Sequence, residues 1–293
     1  MSHHVASPVS IGVVVLSQGA RPAELLGSLT SVLAQRNVDL DVVCVGNGWT
    51  PVGLPVGVRT VALRENVGIP AGRNVGARAV SGDLIFFLDD DAWIDDLHLL
   101  AGVAELFRAR PRLAAVQPRL AGPDGTTVRR WVPRARVGDP RRSGPAFNLA
   151  EGITIVRRTA FDEVGGWAGE FFYGHEGVDL AWRLWGAGWE LHYSGDLLLH
   201  HPITAVSRHA TFYRFNARNR VWSARRNLPW PVLVVYLTAW SAVTTGRLLR
   251  SPAALRTWWA GFAEGWRTLP GARRPMSWRT VWHLARLGQP PVI

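Results

Sequence analysis

The sequence contains no lysine and a single cysteine, Cys44, which lies in an apolar run. One cysteine without a partner excludes a disulfide framework and a cysteine-ligated zinc site. The sequence also has neither a GxxxxGK[ST] phosphate loop nor a GxGxxG motif after its first apolar run. These absences argue against a P-loop NTPase and against a dinucleotide-dependent dehydrogenase.

The N-terminus has no apolar core of the kind found in secretory signals, because residues 1–10 hold two histidines and a proline. We therefore expect the protein to be made and to reside on the cytoplasmic side. The chain has 293 residues, of which 47% are hydrophobic. It can bury a core of its own, so disorder is not expected.

Acidic residues are scarce in the C-terminal part of the chain. Residues 206–293 contain 14 arginines and one acidic residue, Glu264, whereas residues 1–205 carry a net charge of −2. This shift predicts a domain over 1–205 and a basic, mainly helical extension over 206–293. Such charge asymmetry predicts an anionic partner for the extension, either nucleic acid or an acidic lipid surface.

The composition of the extension favours the lipid surface. It holds eight of the chain's 15 tryptophans, and its apolar segment 231–246 carries no charge. About 15 helical residues fall short of the roughly 20 that cross a bilayer, so this segment predicts an interfacial helix. No nucleic-acid reader motif accompanies the arginines. We expect peripheral attachment to an anionic membrane at its inner face and no nucleic-acid partner; the alternative is that the helix only packs on the domain.

Apolar runs alternate with helical patterns in the first third of the chain. Strands are predicted over 9–16, 41–45, 58–63 and 83–88, and helices over 22–35 and 72–80. Continuous β-branched runs are typical of strands that are buried on both faces of a parallel sheet. The pattern therefore predicts an α/β fold with its functional site at the carboxyl ends of the strands.

Three consecutive carboxylates, Asp89, Asp90 and Asp91, follow the fourth predicted strand. Such crowding is destabilising unless a cation neutralises it, and oxygen ligands suit Mg²⁺ or Mn²⁺. The alternative is a solvated acidic turn or a helix cap. The position at a strand end favours a metal site.

The chain resembles family 2 glycosyltransferases, with the GT-A fold, over residues 10–202. The resemblance is carried by residues 11–17, 65–77, 86–91 and 171–184 in this order. The segment 216–229 also resembles the tail of rhamnosyltransferase-like bacterial members that act on lipid-linked or cell-envelope glycans. The resemblance implies a Rossmann-like α/β domain with a membrane-interfacial extension. It also implies a metal-dependent, inverting transferase that moves a hexose or deoxyhexose from a nucleotide-sugar to a glycan or lipid-linked hydroxyl.

The resemblance also implies roles for residues at the metal and the nucleotide. Asp91 would hold Mn²⁺ or Mg²⁺ at the donor diphosphate, and Asp89 would meet the ribose or help to position the metal. A histidine after a later strand would add a ligand, with His201 preferred to His200. The residues implied at the nucleotide-sugar are Ser17, Asn47, Asn66, Gly68, Arg73, Asn74, Asp89 and Asp90.

Two acidic residues on one helical face are candidates for the catalytic base. Glu176 and Asp179 lie three residues apart near a predicted helix start, where anions are favoured. Relatives usually have an acidic residue where Gly177 stands, so the base must move, and we favour Glu176, with Asp179 orienting it. A helix cap is the alternative role. Trp167 is the candidate sugar-stacking platform on the acceptor side, or else a core aromatic.

A second departure concerns the donor. Where Gly46 stands, relatives commonly have an acidic residue that hydrogen-bonds the pyrimidine base of the donor. The resemblance therefore does not identify the sugar or the base of the donor, although UDP- or dTDP-linked donors are favoured. Two other classes of protein are alternatives to a glycosyltransferase. A haloacid-dehalogenase-like phosphohydrolase is disfavoured because the chain has no lysine. An inactive membrane-associated module remains the stronger alternative, although the retained carboxylates favour activity.

Overall fold

The computed structural model describes residues 9–134, 138–203, 211–268 and 270–292. The strands are β1 (Ser10–Ser17), β2 (Asp39–Asn47), β3 (Val58–Leu63), β4 (Leu84–Asp89), β5 (Leu113–Ala121), β6 (Gly144–Pro145), β7 (Ile155–Arg157) and β8 (Glu190–His200). The helices are α1 (Pro22–Leu33), α2 (Ile69–Ala79), α3 (Leu99–Ala109), α4 (Arg158–Glu163), α5 (Glu176–Gly186), α6 (Phe212–Asn227), α7 (Trp230–Leu248), α8 (Pro252–Arg267) and α9 (Trp278–Arg286).

The eight strands form one mixed sheet in the order β3-β2-β1-β4-β7-β5-β8-β6. Strands β1 to β4 are parallel where they pair, and β7 runs antiparallel between β4 and β5. The chain moves outward from β1 through β2 to β3 and then returns to place β4 on the other side of β1. This reversal opens a crevice at the carboxyl ends of β1 and β4, where α/β sheets bind their ligands.

The sheet is covered on both faces, which explains the continuous apolar runs of its central strands. Val13 and Phe86 belong to a buried cluster that includes residues of α1 and α3. Val14 and Phe87, the next residues along the same strands, belong to a second cluster that includes residues of α2, α5 and α6. Alternate side chains of one strand therefore supply two separate cores.

The predicted α/β fold is confirmed, and the strand predicted over 58–63 matches β3 to the residue. The helix predicted over 72–80 begins earlier, at Ile69, because Pro70 stands at a first-turn position that proline favours. The C-terminal region is helical, as expected. The predicted division near residue 205 lies outside the described residues.

Helix α6 is joined closely to the domain that precedes it. The Asn219 side-chain amide donates to the backbone oxygens of Phe171, Tyr173 and Gly174 at 2.8–2.9 Å. Helix α8 crosses α6 at Gly261, where a Cβ atom would lie 2.2 Å from the Arg214 carbonyl oxygen. The first helices of the extension are therefore part of the core packing and not a loose appendage.

Helix α7 contains the apolar segment singled out in the sequence. Val232, Leu233, Tyr236 and Leu237 are buried against the domain. The side chains of Val234 and Val235 on the other side of the helix are 57% and 53% exposed. Among the helices of the described residues, none is long and apolar enough to cross a membrane.

Candidate active site

The three aspartates lie in the crevice between β1 and β4, because Leu16 pairs with Asp89 in the sheet register. Asp89 ends β4, and Asp90 and Asp91 form the turn that follows. The Ser17 hydroxyl at the end of β1 donates to Asp90 Oδ2 at 2.6 Å. Ser17 therefore reaches the aspartate turn, and Asp90 faces β1.

Asp89, Asp91 and His201 form a group whose ligand atoms all lie within 4.8 Å of one another. His201 Nε2 is 3.1 Å from Asp91 Oδ1 and 3.7 Å from Asp89 Oδ2. Two carboxylates and an imidazole are a donor set that suits Mn²⁺ or Mg²⁺. The expected divalent-metal site is thus supported by the side chains that the fold brings together.

Basic side chains balance the crowded carboxylates. Arg21, which follows β1, forms ion pairs with Asp90 and Asp91, and Arg73 of α2 lies 2.6 Å from Asp89 Oδ1. Burial raises the pKa of Asp89, but Arg73 and His201 outweigh it and hold that pKa below its ordinary value. Burial lowers the pKa of His201, yet Asp89 and Asp91 raise it to about 10. The site therefore stabilises charge on both partners.

Arg21 was not expected at the site. Its side chain is 36% exposed, so it reaches the aspartates from the rim of the crevice. The sequence offered one signal, which is that Arg21 is a basic residue placed just beyond the end of a buried strand. In the sequence alone, that position does not distinguish a partner of the carboxylates from a solvated arginine.

His200 is not part of the metal group, and the structure corrects its assignment. Its Nδ1 is 3.1 Å from the Gly122 carbonyl oxygen, and its Nε2 is 3.2 Å from Asp95 Oδ2. Its ring stacks on Trp93. Successive side chains at the end of a strand point to opposite sides, so only His201 faces the aspartates.

A cavity of about 690 Å³ opens beside the metal group. Asp89 and His201 lie in its wall together with Glu151, and aromatic side chains of several elements complete the lining. The aromatic and histidine lining residues are Trp131, Phe147, His175, Trp182, Tyr236 and Trp240. A cavity lined by both carboxylates and aromatic rings suits a sugar and its acceptor.

Two glutamates, the buried Glu176 and the half-buried Glu151, meet at the start of α5. The Gly177 backbone N–H donates to Glu151 Oε1 at 2.8 Å. Burial and the neighbouring Glu151 raise the pKa of Glu176 to about 8, and burial raises the pKa of Glu151 as well. Glu151 was not among the predicted site residues, because it stands 25 positions before the helix and matches no motif there.

Asp179 stands near Glu176 on α5, but its carboxylate is bound by other side chains, and its role as a partner of the base stays a prediction. Its carboxylate is fully buried and accepts hydrogen bonds from Arg183 at 2.7 Å and from Asn227 at 2.8 Å. Arg226 Nε adds a third contact at 3.2 Å. These partners come from α5 and α6, so Asp179 holds the two helices together and is not available to a substrate.

Three of the residues implied at the nucleotide lie where the end of β2 meets the loop before α2. The Asn47 side chain donates to Asn66 Oδ1 at 2.9 Å and accepts from the Val67 backbone N–H at 2.9 Å. Gly68 has φ 87°, and a Cβ atom there would lie 2.7 Å from the Phe172 backbone. The loop is thus fixed against β2 and the approach to α5, and contact of its residues with a nucleotide stays a prediction.

Asn74 and Trp167 pair with each other. The Asn74 side chain bonds the Trp167 backbone N–H and carbonyl oxygen at 2.9 and 2.8 Å. Trp167 is 2% exposed and packs edge-on against Phe87. Trp167 is therefore a core aromatic, and Asn74 anchors its backbone.

Gly46 has no room for a side chain. A Cβ atom at this position would lie 2.2 Å from the Trp49 carbonyl oxygen. The Trp49 indole N–H donates to the Ser17 carbonyl oxygen at 2.7 Å, and its ring covers Gly19. The turn after β2 is therefore closed by Trp49 and carries no carboxylate at position 46.

Comparison with known proteins gives a family model, glycosyl transferase family 2, that matches residues 11–165. The chain is 24% identical over 192 residues to polypeptide N-acetylgalactosaminyltransferase 11 of Xenopus tropicalis, covering 58% of this chain and 32% of the relative. The chain thus spans about a third of that relative's length.

Two solved structures resemble the chain over nearly its whole length. S. aureus TarS 1-349 in complex with UDP-GlcNAc has a TM-score of 0.63 at 14% identity, covering 95% of this chain and 87% of that one. The mannosyltransferase PcManGT from Pyrobaculum calidifontis, in complex with GDP-Man and Mn²⁺, has a TM-score of 0.55 at 17% identity, covering 95% and 79%. These likenesses show the fold. Because the family model covers more than half of the chain, the protein belongs to glycosyl transferase family 2.

Proposed function

We propose that this protein is a metal-dependent, inverting glycosyltransferase. It transfers a hexosyl or deoxyhexosyl group from a nucleotide-sugar to a hydroxyl of a lipid-linked or cell-envelope glycan. The observation that carries the proposal is the Asp89, Asp91 and His201 group in the wall of a cavity that also holds a glutamate. A metal site and a carboxylate base in one cavity are the two components that such a transfer needs.

The residues of the site divide the work of the reaction. Asp89, Asp91 and His201 would hold Mn²⁺ or Mg²⁺, which offsets the negative charge that develops on the departing nucleoside diphosphate. Arg73 keeps Asp89 in place through the ion pair between them. A glutamate carboxylate near the metal group takes the proton of the acceptor hydroxyl. The hydroxyl oxygen attacks the anomeric carbon opposite the leaving group, so the configuration inverts.

The donor is proposed to be a nucleoside-diphosphate sugar. Similar structures were solved with UDP-GlcNAc and with GDP-Man and Mn²⁺, which supports this class of donor. Within this class, a UDP- or dTDP-linked sugar is proposed as the donor, although Gly46 leaves the end of β2 without a carboxylate at this position. Asn47, the last residue of β2, offers a replacement for pyrimidine contacts.

Attachment to the inner face of a membrane is also a proposal. Exposed apolar side chains on α7 and α8 support it, since Val234 is 57%, Trp259 41% and Trp266 40% exposed. Val234, Trp259 and Trp266 line one shallow apolar groove between the two helices. Tryptophans beside arginines favour a headgroup interface, where a lipid-linked acceptor would be found.

Thermal unfolding against a panel of UDP-, dTDP- and GDP-linked sugars tests the proposal. Each donor is measured with Mn²⁺, with Mg²⁺ and with a chelator. A ligand at about 100 times its Kd adds roughly 2.7 kcal/mol, which raises the Tm by several degrees. We expect such a shift with one nucleotide class and with metal only. No shift with any donor would favour an inactive membrane-associated module instead.

A further inference from the structure

The start of α5 cannot carry a side chain at position 177. A Cβ atom built on Gly177 would lie 2.0 Å from the Leu149 carbonyl oxygen and 2.7 Å from Glu151 Oε1. Both distances are too short for an ordinary contact. The carboxylate of Glu151 therefore occupies the space into which a side chain at position 177 would extend.

Glu151 lies in the same cavity wall as the metal group. The next residue, Gly152, approaches Asp89 so closely that a Cβ atom there would lie 1.9 Å from Asp89 Oδ2. Glu151, Gly152, Asp89 and His201 all line the cavity. A carboxylate at this place faces the space beside the metal group, which is where the anomeric carbon and an attacking hydroxyl must meet.

Glu176 is less suited to meet a substrate. Its residue is 2% exposed, and within the described part of the chain it does not line the cavity. Its Oε2 is buried without a hydrogen-bond partner among the described residues. A pKa of about 8, raised by burial and by Glu151, keeps its carboxyl mostly neutral near pH 7. A neutral carboxyl is a poor proton acceptor.

Burial raises the pKa of Glu151 as well, but two of its neighbours favour its charged form. The Gly177 backbone N–H that donates to Glu151 belongs to the first turn of α5, where the helix dipole favours an anion. Arg73 acts on both glutamates and favours the charged form of each. His175 lies in the same wall, but burial and Arg220 lower its pKa well below the ordinary value, so it stays neutral.

We propose that Glu151 is the catalytic base of the transfer, in place of an acidic residue at position 177, and that Glu176 is its positioning partner. This assignment rests on the proposed function. The Glu151 carboxylate takes the proton of the acceptor hydroxyl while the new bond forms between that oxygen and the anomeric carbon. The bond from this carbon to the phosphate oxygen breaks, and its electron pair leaves with the nucleoside diphosphate.

Kinetics of the full chain with Glu151→Gln, Glu176→Gln and Glu170→Gln test the assignment. Glu170 is an exposed glutamate near the start of α5 and is the matched control. The reaction measured is the Mn²⁺-dependent release of nucleoside diphosphate from the donor that gives the largest thermal shift, with water as the acceptor. We expect kcat of Glu151→Gln to fall about 10²- to 10⁴-fold, the usual contribution of a general base. Its Tm shift with donor and Mn²⁺ should equal that of the wild type.

We expect the kcat of Glu176→Gln to fall less than about 10-fold relative to the wild type. Its pH–rate profile should shift, because the side chain next to the base has changed. A loss in Glu176→Gln that equals or exceeds the loss in Glu151→Gln would overturn the assignment. So would near-normal turnover of Glu151→Gln. If the wild type shows no metal-dependent donor binding, the proposed function fails first, and this failure is distinguishable from a wrong base.

A crystal structure with the same donor and Mn²⁺ gives a second test that needs no turnover. We expect the Glu151 carboxylate to lie nearer to the anomeric carbon than the Glu176 carboxylate does. An acceptor or water held between Glu151 and that carbon would support the assignment. A Glu176 side chain that reaches the sugar, with Glu151 turned away, would contradict it.

Discussion

Among single residues, the three aspartates after β4 have different surroundings, although the sequence presents them as one run. Asp91 faces His201 and is 4% exposed, whereas Asp90 accepts a hydrogen bond from Ser17. Asp95, four residues further on, has a 71% exposed side chain and contacts His200. Position along the turn therefore decides which carboxylate can hold a metal.

Asp91→Ala is expected to lose Mn²⁺ affinity by more than about 100-fold, since changes to residues behind a metal ligand already cost about 10- to 100-fold. Free Mn²⁺, measured by electron paramagnetic resonance during a titration, reports the affinity. Asp95→Ala is the matched control and should bind Mn²⁺ as the wild type does. Equal affinities for Asp91→Ala and the wild type would remove Asp91 from the metal site.

Glu176 makes stability depend on pH in a defined direction. The pKa of its carboxyl is 4.5 in the unfolded chain and about 8 in the fold, because burial and the neighbouring Glu151 raise it. A folded pKa above the unfolded value gives stability that is complete below pH 4.5 and is lost as the pH rises to about 8.

Glu176→Gln removes that titration. Between pH 5 and 8, we expect the Tm of the wild type to fall by several degrees more than the Tm of Glu176→Gln. Differential scanning calorimetry at both pH values measures this. Parallel pH dependence of the two proteins would show that Glu176 is not a buried, neutral carboxyl in the fold.

Site residues that directly follow a strand could be predicted from the sequence. Site residues that come from a distant segment of the chain could not. Asp89 and Asp91 follow an apolar run, and this position marks the site in an α/β sheet. Glu151 reaches the start of α5 from a different segment, so no spacing rule points to it. The available signal was weak: an isolated carboxylate beside Gly152, just before an apolar strand.

Among the structural elements, the contact between α5 and α6 explains why Asp179 follows Glu176 in the first turn of α5 without giving Asp179 a chemical role. Asp179 stands three residues after Glu176, yet it bonds Arg183 and Asn227 and lies beside Arg226. A fully buried carboxylate between two arginines is a fixed structural ion pair. Helical spacing placed it correctly near Glu176 but did not reveal that α6 covers it.

Asp179→Ala is expected to reduce the free energy of unfolding by about 3–5 kcal/mol, because buried arginines lose their carboxylate partner. Urea unfolding measures the change. Asp162→Ala, at an exposed position of α4, is the control and should stay within about 0.5 kcal/mol of the wild type. An Asp179→Ala protein as stable as the control would mean that α5 and α6 are held by other contacts.

Strands and helices of the first third were predictable because continuous apolar runs are required where both faces of a sheet are covered. The antiparallel place of β7 between β4 and β5 was not expected. That place depends on pairing between distant segments. The same holds for α6, whose polar side chains gave no sign of its central packing.

For the whole molecule, the distribution of charge separates two surfaces, an acidic crevice and a basic helical extension. Residues 206–293 carry 14 arginines, and their α7 and α8 helices expose apolar side chains. The packing of α6 against the core means that the extension is best tested within the intact chain. Truncation would remove part of the fold together with the surface.

We expect the intact protein to sediment with vesicles that contain phosphatidylserine and not with phosphatidylcholine vesicles. Trp259→Ser together with Trp266→Ser should weaken this binding by about 10-fold or more, because two large apolar groups are lost from the surface. Vesicle cosedimentation at low and high salt measures the affinity. Binding that is equal for the wild type and the double variant would assign the two tryptophans to packing alone.

Proton NMR of a nucleotide-sugar incubated with the protein and Mn²⁺ tests metal-dependent, inverting transfer most directly. The donor is the one that gives the largest shift in the thermal panel. We expect the sugar to be released with inverted anomeric configuration, together with nucleoside diphosphate. A chelator or the Asp91→Ala substitution should stop the reaction. Release with retained configuration, or turnover that continues unchanged in the chelator, would contradict metal-dependent, inverting transfer.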